Sequence, residues 1–510
     1  DQRFRLLTGG SRSAVARQRT LQATVDWSYD LLDTSEQEVL GLLSAFSGGF
    51  DLAAAEVVCG QVLSPEFEVA DVLGSLVNRS LVVAERSSGS LRYRLLETIR
   101  QYASDKLVHS GGEVAVAQVR SAHAQYYLKL CELAAPALVG REQGAWLKRL
   151  DADWENLRTA LGYLSTEGSA GDVLRLSAAV WRFFFSRGYL EPIEPLRAAL
   201  ARADEVGDEL CGRGLFAAAV LLGLAGMHSL TDMRAANEFA GRAVEVARRS
   251  QDQRLLCESL ALLCAGEAFE GDSERAMAHG SEALELARAL GDARLRGMAL
   301  SFLGLGAWAA STPDVCRQLL TEAVVEHRQV GDVLMLCLDL NNLGSLEWQT
   351  NGMRAARVFI EESTALLEEI GFSRLLPSNW GALGEALLLD GEVEQAVPLC
   401  RRSLLAARRC DPRNVVGAIE SLAACFAVLG DHRRAAQLSG AHQSLEAALV
   451  ATAPPLAYQT PPWALGIQDE RRARLRQALG DEEFQRCLEK GRRMTLEAAC
   501  DLALGWTTPD

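Results

Sequence analysis

The stretch GDVLMLCLDLNNLGSLEWQTNGMRAARVFIEESTALLEEIG, residues 331–371, decides the fold. It opens on Gly331-Asp332, is interrupted at Asn351-Gly352 and closes on Gly371, leaving two segments of helical length between turn residues. Within it, Leu343 and Gly344 are followed by Ala356 and then by Ser363. These columns recur with a period of 40 residues. Ala236, Ala276, Cys316, Ala356, Ala396 and Ala436 form one column, and Ala243, Ala283, Ala323, Ser363 and Ser403 a second. Cys264, Gly304, Gly344, Gly384 and Ala424 form a third, preceded by Leu263, Leu303, Leu343, Leu383 and Ala423. Small residues held in register mean that helices approach closely at the same place in every unit.

Turns keep the same period. Gln251-Asp252, Gly291-Asp292, Gly331-Asp332 and Gly371-Phe372 separate units, while Gly271-Asp272, Asn351-Gly352, Gly391-Glu392 and Gly430-Asp431 divide them. Glycine just past one helix and aspartate capping the next supply both terminations. Each unit is therefore expected to be a helix, a short turn and a second helix, over residues 207–450. The first unit departs from the register, with Gly223 and Leu224 at the Leu-Gly columns, and the last carries Gly440 and Gln443, as terminal caps do. Beyond it, Ala453-Pro-Pro-Leu and Thr460-Pro-Pro-Trp predict a bend that no helix crosses. Residues 451–510 are thus a Pro-rich bend and a cap with helices from about 468 to 504. Upstream, 113–206 reads as irregular helical pairs, with amphipathic or buried runs at 153–161 and 180–185.

Residues 20–112 have a different grammar. Helices are predicted at Thr20–Leu32, at Ser35–Phe46 with Ser35 and Glu38 as a capping box, at Leu52–Cys59 and at Glu66–Asn78. Two alternating runs, 81–84 and 91–95, flank Ser87-Ser-Gly-Ser90 and predict a β-hairpin, and a helix from Glu97 to Val108 follows. Helices followed by a hairpin make a winged helix. The fold class is all-α: a winged-helix domain followed by a right-handed α-solenoid.

Composition excludes several functions. Of 510 residues, 49% are hydrophobic and 6% aromatic, which suits helices rich in Ala and Leu. The net charge of −15 speaks against general nucleic-acid binding. Lysines stand only at 106, 129, 148 and 490, and none lies in the Gly-Lys-Ser/Thr setting of a phosphate-binding P-loop. The twelve cysteines show no Cys-x-x-Cys and read as buried free thiols. The seven histidines show no zinc spacing, and no Gly-x-Ser-x-Gly elbow is present. No catalytic residue, cofactor or metal ligand is expected, so the chain reads as no enzyme. Without a signal peptide or a long apolar run, a cytoplasmic chain with no membrane partner is expected.

The repeat resembles the tetratricopeptide repeat in a 40-residue form. A second resemblance rests on Arg3-Phe-Arg-Leu-Leu-Thr-Gly-Gly-Ser-Arg12, on the run from Arg17 through Asp26-Trp27-Ser28-Tyr29 to Leu32, on Phe46-Ser-Gly-Gly-Phe50 and on Leu95-Leu-Glu-Thr-Ile-Arg-Gln-Tyr-Ala103. These are similar to actinobacterial signalling ATPases of the NB-ARC or STAND type, the LuxR/AfsR-like multidomain transcriptional regulators. In that family a P-loop ATPase core precedes the winged helix and the repeats follow it. The resemblance implies that residues 1–19 are the remnant of the core and that the chain begins within a longer pattern, as a fragment or a truncated member. ATP would be a cofactor only together with an upstream core, which would then be a partner.

Three candidate sites follow. The concave face of such repeats, carried onto this register, implies a groove for a protein or peptide lined by Phe269, Ser301, Trp308, Asn341, Ser345, Trp348, Gln349 and Glu385, with Trp308 and Trp348 stacked above one another. Arg3, Arg5, Arg12, Arg17 and Arg19 form the one basic concentration, suited to phosphates or to a solvated linker. The helix at 66–78 is the candidate DNA-recognition helix, yet Glu66, Glu68 and Asp71 oppose a single Arg79. Residues 1–110 hold 11 basic and 14 acidic side chains, so intramolecular docking is favoured over DNA binding. The expected function is a non-catalytic module that senses or scaffolds through its repeats, with a DNA-binding regulator as the alternative.

Overall fold

Asp33 opens the first full helix of the winged region, in the computed structural model that describes residues 24–63, 68–87, 90–226, 230–372, 374–408, 412–451 and 462–505. These fall into two units, Asp1–Glu132 with Arg149–Asp172 and Leu133–Lys148 with Val173–Asp510. In the first unit, α1 covers 24–30 and α2 Thr34–Leu43. The expected Ser35/Glu38 capping box is displaced by two residues. Asp33 accepts from the Glu36 backbone N–H at 2.8 Å, and the Asp33 N–H donates to Glu36 Oε2 at 3.0 Å. Asp serves as well as Ser at this position, and the earlier start turns Val39, Leu40, Leu42 and Leu43 into the core.

β1 (Gly49–Phe50), α3 (Leu52–Gly60), α4 (Val69–Asn78), β2 (Val83–Ser87) and β3 (Ser90–Arg94) follow. The three strands form an antiparallel sheet in the order β1-β3-β2, with Gly49 opposite Arg94 and Val83 also opposite Arg94 from the other side. The hairpin is where the sequence placed it, but β2 begins two residues late. Leu81 and Val82 are buried, and both their N–H groups donate to the Leu76 carbonyl at the end of α4. The third strand, β1, is too short to leave a two-residue alternation in the sequence. α5 (Glu97–Ala134) runs on past Val108 and bends at Gly112, whose φ of 67° breaks the helix without ending it. α6 (Gln143–Ala152) belongs to this unit only from residue 149 onward, and α7 (Trp154–Thr166) lies within it.

The second unit contains α8 (Ala170–Arg187) from residue 173 onward and α9 (Ile193–Leu200). Paired helices follow: α10 (Asp208–Gly226) with α11 (Leu230–Ser250), α12 (Gln253–Glu270) with α13 (Ser273–Leu290), and α14 (Ala293–Ala309) with α15 (Pro313–Val330). The stack continues through α16 (Val333–Asn351) with α17 (Met353–Ile370), α18 (Leu376–Leu389) with α19 (Val393–Ala407), and α20 (Pro412–Val428) with α21 (His432–Val450). α22 (Pro462–Leu479), α23 (Asp481–Arg492) and α24 (Leu496–Leu504) close it. The Pro-rich bend at 453–461 lies outside the described residues, and α22 starts earlier than expected.

The small columns are the seams of this stack. A methyl group added at Gly304 would meet Leu320 at 3.0 Å, at Gly344 Ile360 at 2.9 Å, and at Gly384 the Cys400 sulfur at 2.4 Å. The same sixteen-residue step therefore joins the two helices in each of these three units. Asp252, Asp272, Asp292, Asp332 and Asp431 all cap helices by accepting from backbone N–H groups, and Gly271, Gly291, Gly331 and Gly371 all take positive φ. All the described cysteines are free and buried. Asp332 does a second job, because Arg182 of α8 pairs with it at 2.9 Å and both side chains are almost fully buried. The fold is all-α apart from the wing, and among the described residues no helix is long and apolar enough to cross a membrane.

Candidate functional site

Four of the eight predicted groove residues converge on one cavity of about 350 Å³. Asn341, Ser345 and Trp348 stand on one side of α16, and Glu385 stands in the corresponding column of α18, forty residues after Ser345. Asn414, Gly417 and Ser421 of α20 extend the wall. Residues three, four and seven apart share one helix face, so successive first helices build a continuous surface. α22 lies across it and brings Ile467, Gln468 and Arg471 to the opposite side.

The charges in this cavity are unevenly compensated. Glu420 is ion-paired with Arg471 and lies 3.6 Å from His442 Nδ1. Burial raises the Glu420 carboxyl, yet Arg471 and then His442 bring it below the usual range. His442 Nε2 is 3.8 Å from Glu446 Oε2. Glu385 has neither hydrogen bond nor ion pair among the described residues. Protein surrounds it while the cavity leaves it some solvent, and burial pushes its carboxyl up to about 7. The sequence missed Glu420, His442 and Arg471. Glu420 occupies the column of Leu340 and Trp380, which reads as packing, and Arg471 lies beyond the last repeat.

The other four groove residues go elsewhere, so the single groove is corrected to two separate cavities and a side-chain pair. Phe269 and Ser301 line a second, largely apolar cavity of about 170 Å³ with Trp181, Phe216 and Met298. Ser301 is 2% exposed and its hydroxyl donates to the Gly297 carbonyl at 2.9 Å, which withdraws it from any protein partner. Beneath it, His327 Nδ1 and Asp339 Oδ2 are 2.6 Å apart and both side chains are fully buried. Burial raises the Asp339 carboxyl, and His327 opposes that rise. Trp308 packs beside Phe269 and Phe302 and donates its indole N–H to Gln349 Oε1 at 3.1 Å. Trp348 packs instead with Met353, Ala356 and Ile360, so the expected stack of two tryptophans is replaced by membership of different clusters.

In the winged unit, Arg79 and Arg92 are engaged internally, while Arg86 of β2 is exposed and carries no ion pair among the described residues. Glu36 receives the Ser75 hydroxyl and, at 3.2 Å, Arg79 Nε. Arg92 of β3 pairs with Asp153 at 2.6 Å and also donates to the Gly49 carbonyl. Asn156 donates to that same carbonyl at 2.8 Å and accepts from the Ser47 N–H. Its neighbour His123 is so buried that its pKa is pushed down to about 4. The Phe46-Ser-Gly-Gly-Phe50 motif owes its form to this knot, for Phe46 and Phe50 stack at 4.3 Å with His123 at the edge. The exposed positions of α4 are Ala70, Asp71, Gly74 and Asn78, none of them a cation. Glu66 and the five N-terminal arginines, Arg3, Arg5, Arg12, Arg17 and Arg19, lie outside the described residues. No group of His, Cys, Asp or Glu among the described residues is arranged to hold a metal ion.

Comparison with known proteins agrees with the first unit. Residues 32–108 match the family model described as a winged helix-turn-helix domain. A protein of Mycobacterium tuberculosis named as an HTH-type transcriptional regulator is 33% identical over 322 residues, covering 53% of this chain and 35% of its own length. An uncharacterized protein of the same organism is 43% identical over 119 residues, covering 23% of this chain and 30% of its own. Among solved structures, a STAND protein with a tetratricopeptide repeat sensor from Pyrococcus horikoshii aligns over 88% of this chain and 66% of its own, at 16% identity and a TM-score of 0.42. A Rap protein complexed with competence and sporulation factor aligns over 74% and 99%, at 15% identity and a TM-score of 0.43. The chain spans about a third of the length of these curated relatives, and what it shares with the family model is its winged helix-turn-helix region.

Proposed function

We propose that this chain is the non-catalytic regulatory part of a STAND-type signalling regulator of the LuxR/AfsR-like kind. Its repeats take up a signal or a protein partner on their concave face, and its winged helix relays that state by docking within the protein. The observation that carries this is the exposed side of α4, with Ala70, Asp71, Gly74 and Asn78 and no cation. Phosphate neutralisation needs Lys or Arg. Arg79 just after α4 is engaged by Glu36 and Arg92 by Asp153, which leaves Arg86 of β2 as an exposed arginine of the wing without an ion pair among the described residues. An NB-ARC ATPase core upstream would be the immediate partner and would supply ATP binding, for which this chain has no P-loop.

The match of residues 32–108 to a winged helix-turn-helix model favours a second reading, direct DNA binding. Fluorescence anisotropy with a random labelled duplex separates the two. Docking predicts no retention at micromolar protein in about 50 mM salt. Retention that weakens steeply between about 50 and 200 mM salt replaces docking with DNA binding.

A further inference from the structure

The cavity between α16, α18, α20 and α22 has the composition of a small-molecule site. Its volume of about 350 Å³ is far beyond that of one water and falls at the lower end of ligand pockets, roughly 300–1,000 Å³. Its walls alternate apolar surface, from Trp348, Leu388 and Ile467, with amides from Asn341, Asn414 and Gln468. Three carboxylates, Glu385, Glu420 and Glu446, face one permanent cation, Arg471, which Glu420 already holds. One group is left without a close partner. Glu385 makes no hydrogen bond or ion pair among the described residues, and across the cavity Arg471 attracts it while Glu420 repels it. His442, with its side chain 6% exposed, is turned to Glu420 at 3.6 Å and Glu446 at 3.8 Å. A largely enclosed carboxylate without an ion pair in contact is costly, and a ligand that brings a cation to it recovers part of that cost.

We propose that this cavity binds a free compact organic cation, an ammonium or guanidinium on a small partly apolar body, with Glu385 as its counter-ion and the Trp348 indole as a wall. The indole adds cation–π attraction, and the amides of Asn341 and Asn414 offer oxygens to the remaining N–H donors, while Gln468 Oε1 already accepts from Arg472. A bare metal ion does not suit the site, since the carboxylates are not gathered for one. This assignment rests on the sensing half of the function proposed above and names the class of signal. The ligand would touch three successive repeats and α22 together, so its binding would be felt along the stack.

Titration of the full chain with agmatine, cadaverine and tyramine tests it, followed by calorimetry at about pH 8 and with glutarate as the control of opposite charge. At least one cation is expected to saturate below about 10 mM, glutarate none, and Glu385→Gln to weaken that binding at least about tenfold. A further signature is pH. With Glu420, Glu446, His442 and Arg471 facing the same cavity, the wild-type chain loses about tenfold in affinity from pH 8 to pH 6 as Glu385 takes up a proton, beyond any change in Glu385→Gln. Glu385→Gln is near in shape and removes no contact, and its thermal unfolding checks that it folds. No saturation by any of the three, equal affinity in Glu385→Gln, or an acetylated Arg tripeptide binding tenfold better than agmatine overturns the proposal. These readouts use the chain alone and no DNA, so their failure leaves the docking reading standing, and DNA retention leaves the cavity assignment standing.

Discussion

Glu385 shows how one side chain can carry a cost that the fold tolerates. Its carboxyl is raised to about 7 in the folded chain, above the ordinary value of 4.5. The folded state therefore keeps a proton that the unfolded chain releases, and this contribution to stability, fully present below about pH 4.5, is lost as pH rises through 7. Glu385→Gln should match wild type in stability near pH 4.5 and exceed it by up to about 3 kcal/mol above pH 7. Urea unfolding at several pH values checks this, and equal stability throughout would remove the strain from Glu385. The sequence placed Glu385 on the inner face through its column alone. It gave no sign of Arg92, Asp153 and Asn156, which meet across some sixty to a hundred residues of chain and obey no period.

At the scale of the element, helix ends were the most legible feature. Asp272 accepts from the Arg275 N–H at 3.2 Å, and Gly271 before it has a φ of 89°. Asp272→Ala should cost about 1 kcal/mol through loss of the cap, and Gly271→Ala a similar amount through left-handed backbone. A melting temperature unchanged in either variant would show that packing alone sets that boundary. Such signals are local, needing only residues within one turn of each other. The same locality misled the reading of α2, where Ser35 and Glu38 matched the box as well as Asp33 and Glu36 did, and only the buried face of the helix chose between them. β1 went unseen because two residues carry no alternation, and its pairing with β3 is made 43 residues away.

For the molecule as a whole, the 40-residue register foretold the stack but not what closes it. α21 and α23 cross with their backbones in contact: a methyl at Gly491 would lie 1.9 Å from the Gln437 carbonyl oxygen, and one at Gly440 would lie 2.1 Å from that of Leu488. Backbone cannot yield as a side chain does, so Gly491→Ala should separate these helices at a cost of about 1–3 kcal/mol or more. Because repeats couple mainly to their neighbours, the damage should stay at this end, with earlier limited proteolysis of 481–504 and little change near α12. Uniform destabilisation would mean that the stack melts as one body. Gly440 was visible in the sequence as a departure from the repeat; Gly491, its counterpart on α23, was not, since it lies after the last unit.

Three of the small-residue seams are filled by sulfur, at Cys264, Cys316 and Cys400, each in a different repeat. Burial holds the thiols of Cys264 and Cys316 up at about 12, so they are inert as long as their seam is shut. A thiol reagent can reach each one only while its own helices are apart. The stack thus contains three clocks along its length, and the order in which they are labelled gives the order in which the repeats breathe.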